Sequence, residues 1–228
     1  MKTLIVTGGT IDLAFALRYV EQQKFDYFIA SDAGMHFFEW AKMIPQEIVG
    51  DFDSADAGEL QRFQQNPQIQ FHQYHPKKDY ADTELALRLA LDCGSSEIHI
   101  LGGTGTRLDH VLGTVHVLGL ALMQDTPCFL VDAYNRVRLV GKGRTVLKKS
   151  NQYGHYVSFI PLTTQVRGVT LRGFLYPLTD GTFDTFQSLG ISNEIVQEEA
   201  VVEIMDGIAV LVESADEARF EFEGTNLS

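Results

Sequence analysis

The stretch Ile48-Val49-Gly50-Asp51-Phe52-Asp53-Ser54 decides how the chain is read, because a short apolar run ends in glycine and two carboxylates follow one residue apart. If the strand continues through them, Asp51 and Asp53 project to the same side. Like charges that close favour a hard cation between them, and magnesium prefers carboxylate oxygens. Asp79, Asp82, Glu84 and Asp109 also come after apolar runs that read as strands. Set side by side in one parallel sheet, such strands gather their acids at the carboxyl edge, where open α/β sheets bind ligands. Taken alone, Asp51 and Asp53 also suit a turn and a helix cap.

Outward from this stretch, β-branched and aromatic runs alternate with helical periods up to about residue 131. Leu4-Ile5-Val6 reads as a strand, and Leu13, Ala16, Leu17 and Val20 mark one face of a helix. Tyr27 to Ala30 gives a second strand, then a short helix carrying Phe38 and Ala41. Glu47 to Val49 is the third strand, and Asp56 with Glu59 forms a capping pair for the polar helix that follows. A strand around Ile69-Gln70-Phe71 precedes a helix from Thr83 to Cys93 with Asp82 at its N-cap. Ile98 to Leu101, a helix from Val111 to Met123, and Cys128 to Val131 complete the series. This alternation predicts a parallel sheet with helices on both faces.

The rhythm changes after Asp132. Arg136 to Val140 and Thr145 to Lys148 read as strands of a hairpin through Gly141-Lys142-Gly143, and Val201 to Met205 pairs with Ile208 to Val212 around Asp206-Gly207. Tyr156 to Ile160 and Val169 to Leu171 add two more strands, and no helical period stands out. The expected division is an α/β domain over 1–132 and a smaller antiparallel β-sandwich over 133–228.

Thirty acids against 18 bases give a net charge of -12, which repels a nucleic acid and welcomes a cationic small molecule. A polyphosphate ligand would then require a metal. Cys93 and Cys128 lack metal-ligand spacing and read as core thiols of a cytoplasmic protein. Trp40 reads as core. No apolar run is long enough for a membrane span or, at the N-terminus, for a signal peptide.

Three more stretches carry chemistry. Lys78-Asp79-Tyr80-Ala81-Asp82-Thr83-Glu84 puts a lysine and acids where a helix opens, and the free N–H groups there suit a phosphate. Gly102-Gly103-Thr104-Gly105-Thr106-Arg107-Leu108-Asp109-His110 offers close backbone approach and a guanidinium fork, without the dinucleotide or Walker spacing. Gly190-Ile191-Ser192-Asn193-Glu194 alone is only a polar loop.

In this order, the Gly-Asp-Phe-Asp-Ser, Lys-Asp, Arg-Leu-Asp-His and Ser-Asn-Glu stretches resemble the thiamine pyrophosphokinase family across nearly the whole chain. The resemblance implies magnesium-dependent transfer of a pyrophosphoryl group from ATP to thiamine, in a cytoplasmic homodimer with thiamine bound where the subunits meet. It places magnesium at Asp51, Asp53 and Asp79. ATP would meet Asp32, Gly34, Lys78, Thr83, Gly103, Arg107, Asp109 and His110, and thiamine would meet Asp51, Asp53, Ser192, Asn193 and Glu194. Asp79, Asp82 and Arg107 are the catalytic candidates. Two features depart from the family: its animal members stack a β-domain tryptophan on thiamine, whereas Trp40 is this chain's only one, and Thr106 replaces a frequent glycine. Asp51-Phe52-Asp53 also fits the Asp-x-Asp pattern of metal-dependent glycosyltransferases, and a nucleotide-sensing module without chemistry is the third reading.

Overall fold

The computed structural model describes residues 1–52, 57–74, 80–105 and 107–220. The chain divides into two compact units, Met1–Ala133 with the residues from Phe220 onward, and Tyr134–Arg219.

The first unit runs β1 (Lys2–Val6), α1 (Leu13–Gln23), β2 (Tyr27–Ser31), α2 (Met35–Ala41), β3 (Glu47–Gly50), α3 (Ala57–Gln64), β4 (Gln70–Gln73), α4 (Asp82–Asp92), β5 (Glu97–Leu101), α5 (Leu108–Val117), α6 (Gly119–Leu122) and β6 (Cys128–Val131). Its six strands are parallel, in the order β6-β5-β1-β2-β3-β4. The chain steps outward from β1 to β4, then returns to the other side of β1 to add β5 and β6. Right-handed crossovers therefore put α1 to α3 on one face and α4 to α6 on the other. α4 packs on β1, β2 and β3 and against α5 and α6. Covered on both faces, the inner strands bury side chains continuously, with Leu4, Ile5, Ile29, Ile48, Ile98 and Ile100 fully buried.

The second unit contains β7 (Asn135–Val140), β8 (Gly143–Lys148), β9 (Tyr156–Pro161), β10 (Gln165–Arg172), β11 (Leu178–Asp184), β12 (Asn193–Glu194), β13 (Glu199–Ile204) and β14 (Ala209–Ser214). Within it, β12-β9-β14-β7 and β11-β10-β13-β8 form two antiparallel layers. Val157, Phe159, Leu211, Val166, Leu171, Phe183 and Val202 fill the core of this sandwich.

Several local expectations change. Neither glycine turn closes a hairpin: β7 pairs with β14, and β8 with β13. Each turn carries the chain from one layer to the other. Gly207, at φ +91, supplies the reversal, but Arg167 bridges Asp206 and takes the place a hairpin partner would hold. Turn chemistry fixes the bend, whereas the buried face of each strand fixes its partner. The strand of the opening stretch stops at Gly50, and Phe52 is left-handed at φ +62, so Asp51 does not continue it. Phe52 is buried against Phe71 instead, ring centroids 6.1 Å apart. Ala81 takes the N-cap of α4 and Asp82 is its first residue. Trp40 is 49% exposed because α2 buries Met35, Phe37 and Phe38 on its opposite side. Cys128 is buried, but Cys93, at the end of α4, is exposed. Asp56, the expected partner of Glu59 in a cap, lies outside the described residues. Among the described residues no helix is long and apolar enough to cross a membrane.

At the amino edge of the parallel sheet, buried His99 bonds Tyr19 Oη through Nδ1 at 2.6 Å and Glu97 Oε1 through Nε2 at 2.8 Å. Lys2 Nζ meets the same carboxylate at 2.8 Å. These bonds, the one from His99 first, hold Glu97 down at about 2 against an ordinary 4.5. A carboxyl depressed by folding stabilises above its unfolded pKa and loses that contribution as pH falls through the folded value. Glu97→Gln is expected to lower the melting temperature at neutral pH, with the gap to the parent closing between about pH 4.5 and 2. Thermal melts across that range check the convergence.

Candidate active site

Reversal of the strand order between β1 and β5 leaves a crevice at their carboxyl ends, the place where doubly wound sheets take ligands. A cavity of about 450 Å³ opens there, walled by the turns after β1, β2 and β5 and by the first turn of α4. Its floor depends on backbone approach. A Cβ at Gly9 would lie 2.0 Å from the Gly102 carbonyl oxygen, and Gly102 itself has φ +79. Side chains at these two positions would collide with the facing backbone and force the two turns apart.

Asp32 enters from the end of β2 in a left-handed conformation, φ +47, which is uncommon for a non-glycine residue. A Cβ at the neighbouring Gly50 would stand 3.3 Å from Asp32 Oδ1. Gly50 thus keeps open the space beside that carboxylate, and Asp51 follows directly. Carboxylates at the ends of adjacent strands are the donors a hard divalent cation prefers. Asp53 and Asp79, the other acids expected at the metal, lie outside the described residues, as does Lys78.

On the α4 side, Ala81, Asp82 and Thr83 line the cavity. The first backbone bond of this helix runs from Leu85 N to Ala81 O, so the N–H groups ahead of Leu85 have no partner within the helix. Glu84 is held away by Arg88, whose Nε and Nη2 both bond Oε1, at 3.0 and 2.7 Å. The helix end therefore offers donors with one neighbouring negative charge already paired.

Arg107 and His110 complete the wall. Arg107 forks onto Asp109, Nε to Oδ1 at 3.2 Å and Nη2 to Oδ2 at 2.6 Å, and Asp109 Oδ1 also accepts the His110 N–H at 2.9 Å. The Arg107 bond holds Asp109 below the usual carboxylate range, while Asp109 raises the guanidinium above its own. Asp109 thus reaches the cavity through Arg107. Of the expected nucleotide residues, Asp32, Thr83, Gly103, Arg107 and His110 share this cavity with Asp82. Gly34 does not line it; a Cβ there would meet the Val6 carbonyl oxygen at 2.0 Å, so its smallness serves β1 packing. Thr7, Gly8, Gly9 and the buried Thr114 line it without having been singled out from sequence. The glycine pair directly after the first apolar run was the available signal.

In the second unit, Ser192 has φ +60 and donates its N–H to Ser158 Oγ at 3.0 Å. Asn193 is buried, and its side chain braces Tyr176: Oδ1 accepts the Tyr176 N–H at 3.0 Å and Nδ2 donates to the Tyr176 carbonyl at 2.8 Å. The Tyr176 side chain is left 64% exposed. Glu194 Oε2 lies 3.1 Å from His155 Nε2. The structure thus adds Tyr176, an exposed aromatic on a braced backbone beside the Ser-Asn-Glu stretch.

Comparison with known proteins gives these features a context. The thiamin pyrophosphokinase catalytic domain matches residues 19–130, and the vitamin B1 binding domain of the same family matches residues 144–208. Thiamine pyrophosphokinase of Bacillus subtilis (strain 168) is 33% identical over 218 residues, spanning 95% of this chain and 100% of that protein. Thiamin pyrophosphokinase 1 of Caenorhabditis elegans is 23% identical over 83% of this chain and 80% of its own length. The crystal structure of the Bacillus subtilis protein superposes with a TM-score of 0.83 at 30% identity, covering 95% of this chain and all of that one. That of thiamin pyrophosphokinase from Geobacillus thermodenitrificans gives 0.81 at 28% identity over 95% and 99%. The glycosyltransferase and sensing-module readings of the acidic stretch give way to this match: the chain belongs to the thiamin pyrophosphokinase family.

Proposed function

We propose that the protein transfers a pyrophosphoryl group from ATP to the hydroxyl of thiamine in a magnesium-dependent reaction, as a cytoplasmic homodimer, releasing AMP and thiamine diphosphate. The observation that carries this is the glycine-floored crevice between β1 and β5, where the Arg107 fork, the α4 N-terminus and Asp32 at the end of β2 converge.

ATP lies over the Gly9 and Gly102 turns, its phosphates against the α4 N–H groups and Thr83, with Lys78, Gly103 and His110 along its course. Asp51, Asp53 and Asp79 would hold magnesium, which would supply charge neutralisation for the polyphosphate. Asp79 or Asp82 accepts the proton of the thiamine hydroxyl as it attacks the β-phosphorus, and AMP leaves. Arg107, positioned by Asp109, meets the charge that develops. The thiamine ring is cationic, which suits the Glu194 carboxylate and an acidic protein. Tyr176 offers its ring in place of the missing β-domain tryptophan, with Asn193 as its positioning residue.

Mixing the protein with ATP, magnesium and thiamine should release AMP in step with thiamine diphosphate. Asp51→Asn should abolish this while the fold is retained by circular dichroism, because an amide is a far weaker ligand for a hard cation than a carboxylate. Turnover at the parent rate at equal magnesium would remove Asp51 from the site.

Arg107→Lys keeps the charge but loses the fork, so kcat should fall roughly tenfold or more with little change in the KM for ATP. A raised KM at unchanged kcat would assign Arg107 to ground-state binding.

Tyr176→Ala should raise the KM for thiamine and leave that for ATP unchanged, while Tyr176→Phe behaves as the parent. Asn193→Ala should raise the same KM and also destabilise by about 1 to 3 kcal/mol, since a buried backbone pair loses its partner. Steady-state kinetics and chemical denaturation separate the two effects.

A further inference from the structure

Asp32 and Asp51 stand at the ends of two adjacent strands, and each strand leads into a helix, β2 into α2 and β3 into α3. These two helices pack incompletely. A cavity of about 300 Å³ lies between their carboxyl ends, lined among others by Phe38, Met43, Ile44, Phe63, Lys42 and Arg62. Nearer the crevice, polar side chains join them instead. His36, the second residue of α2, reaches Glu59 in the first turn of α3, Nδ1 to Oε2 at 2.5 Å. One turn further along both helices, Arg62 Nη2 pairs with Glu39 Oε1. The outer rung is open to water, its side chains 60% and 40% exposed, whereas Glu59 is 2% exposed. Burial pushes the Glu59 carboxyl above its ordinary value, with His36 and Arg62 pulling it down and Glu39 pushing it up.

We propose that Glu59 is a positioning residue for the metal: through His36 it fixes the start of α3 against the start of α2, and so holds Asp51 at a set separation from Asp32. A buried carboxylate is a costly way to gain stability, since an apolar side chain of similar size is buried at less expense. What the charge supplies is a single place. It needs its partner where His36 stands, whereas an apolar side chain would settle over the neighbouring cavity at several depths. The connection from β3 to α3 is short and opens with Asp51, so a shift of α3 is passed to the acid directly. Groups that orient a metal's ligands without touching it commonly govern its affinity. The inference rests on the magnesium reading above, but not on which group is transferred.

Manganese, a paramagnetic stand-in for magnesium, can be titrated by electron paramagnetic resonance with ATP present and thiamine absent, so binding is read without turnover. Glu59→Met should keep or raise the thermal melt and yet weaken manganese binding roughly tenfold. Glu59→Gln, which still accepts a bond from His36, should stay near the parent. His36→Ala, at an exposed position, should lose affinity as Glu59→Met does, and it carries the test alone where Glu59→Met does not fold. In turnover, the magnesium concentration for half-maximal rate should rise in the same order while the KM for thiamine holds. Parental manganese affinity in folded Glu59→Met or His36→Ala protein overturns the proposal, and so does a loss in Glu59→Gln equal to that in Glu59→Met. A parent that binds no manganese overturns it together with the magnesium reading, whereas one that binds manganese and releases no AMP overturns only the transfer.

Discussion

Everything in the crevice depends on two backbone turns that come closer than side chains allow. The ends of β1 and β5 are neighbours in the sheet but far apart in sequence, and their turns meet at Gly9 and Gly102 with no room for a Cβ. That approach lowers the floor of the cavity to the level of the strand ends, where phosphate oxygens can reach helix N–H groups directly. Enlarging either glycine would force the turns apart and reshape the floor without touching a residue that does chemistry. The acids and Arg107 are therefore secondary to a steric fact, since they line a space that the glycines create.

The parallel half was legible because each strand is buried on both faces and separated from the next by a helical period. Two independent signals, apolar runs and 3.6-residue spacing, pointed to the same order. The acid-bearing edge followed from that order, which is why Asp32, Asp82, Thr83 and Arg107 come together. What could not be read was local geometry with tertiary causes. Phe52 turns left-handed because its ring is buried against Phe71. Trp40 points outward because α2 had already spent its inward face on three other residues.

The antiparallel half was harder for a physical reason. Strand character can be read from short apolar runs, but pairing in a sandwich is decided by contacts between residues far apart in the chain. Asp206-Gly207 gave a correct bend and a wrong partner, because a sharp turn serves a crossing between layers as well as a hairpin. Asn193 shows the same limit at a single residue. The family resemblance put it near thiamine; its amide also holds the Tyr176 backbone, and the aromatic it braces had no motif of its own.

The layer-crossing turns also bear on how the protein is made. β7 pairs with β14, and β8 with β13, the registers joining Asn135 to Ser214 and Gly143 to Ile204. All six strands of the first unit leave the ribosome before any of this, and each lies beside a strand that appears earlier or soon after. Such long-range pairings form slowly, and waiting strands present open edges to other chains. Through that interval β7 carries Arg136 and Arg138, and β8 carries Arg144 and Lys148. Cations spaced along an unpaired strand keep it from joining a stranger, so these four residues guard the nascent chain before they hold any place in the finished one.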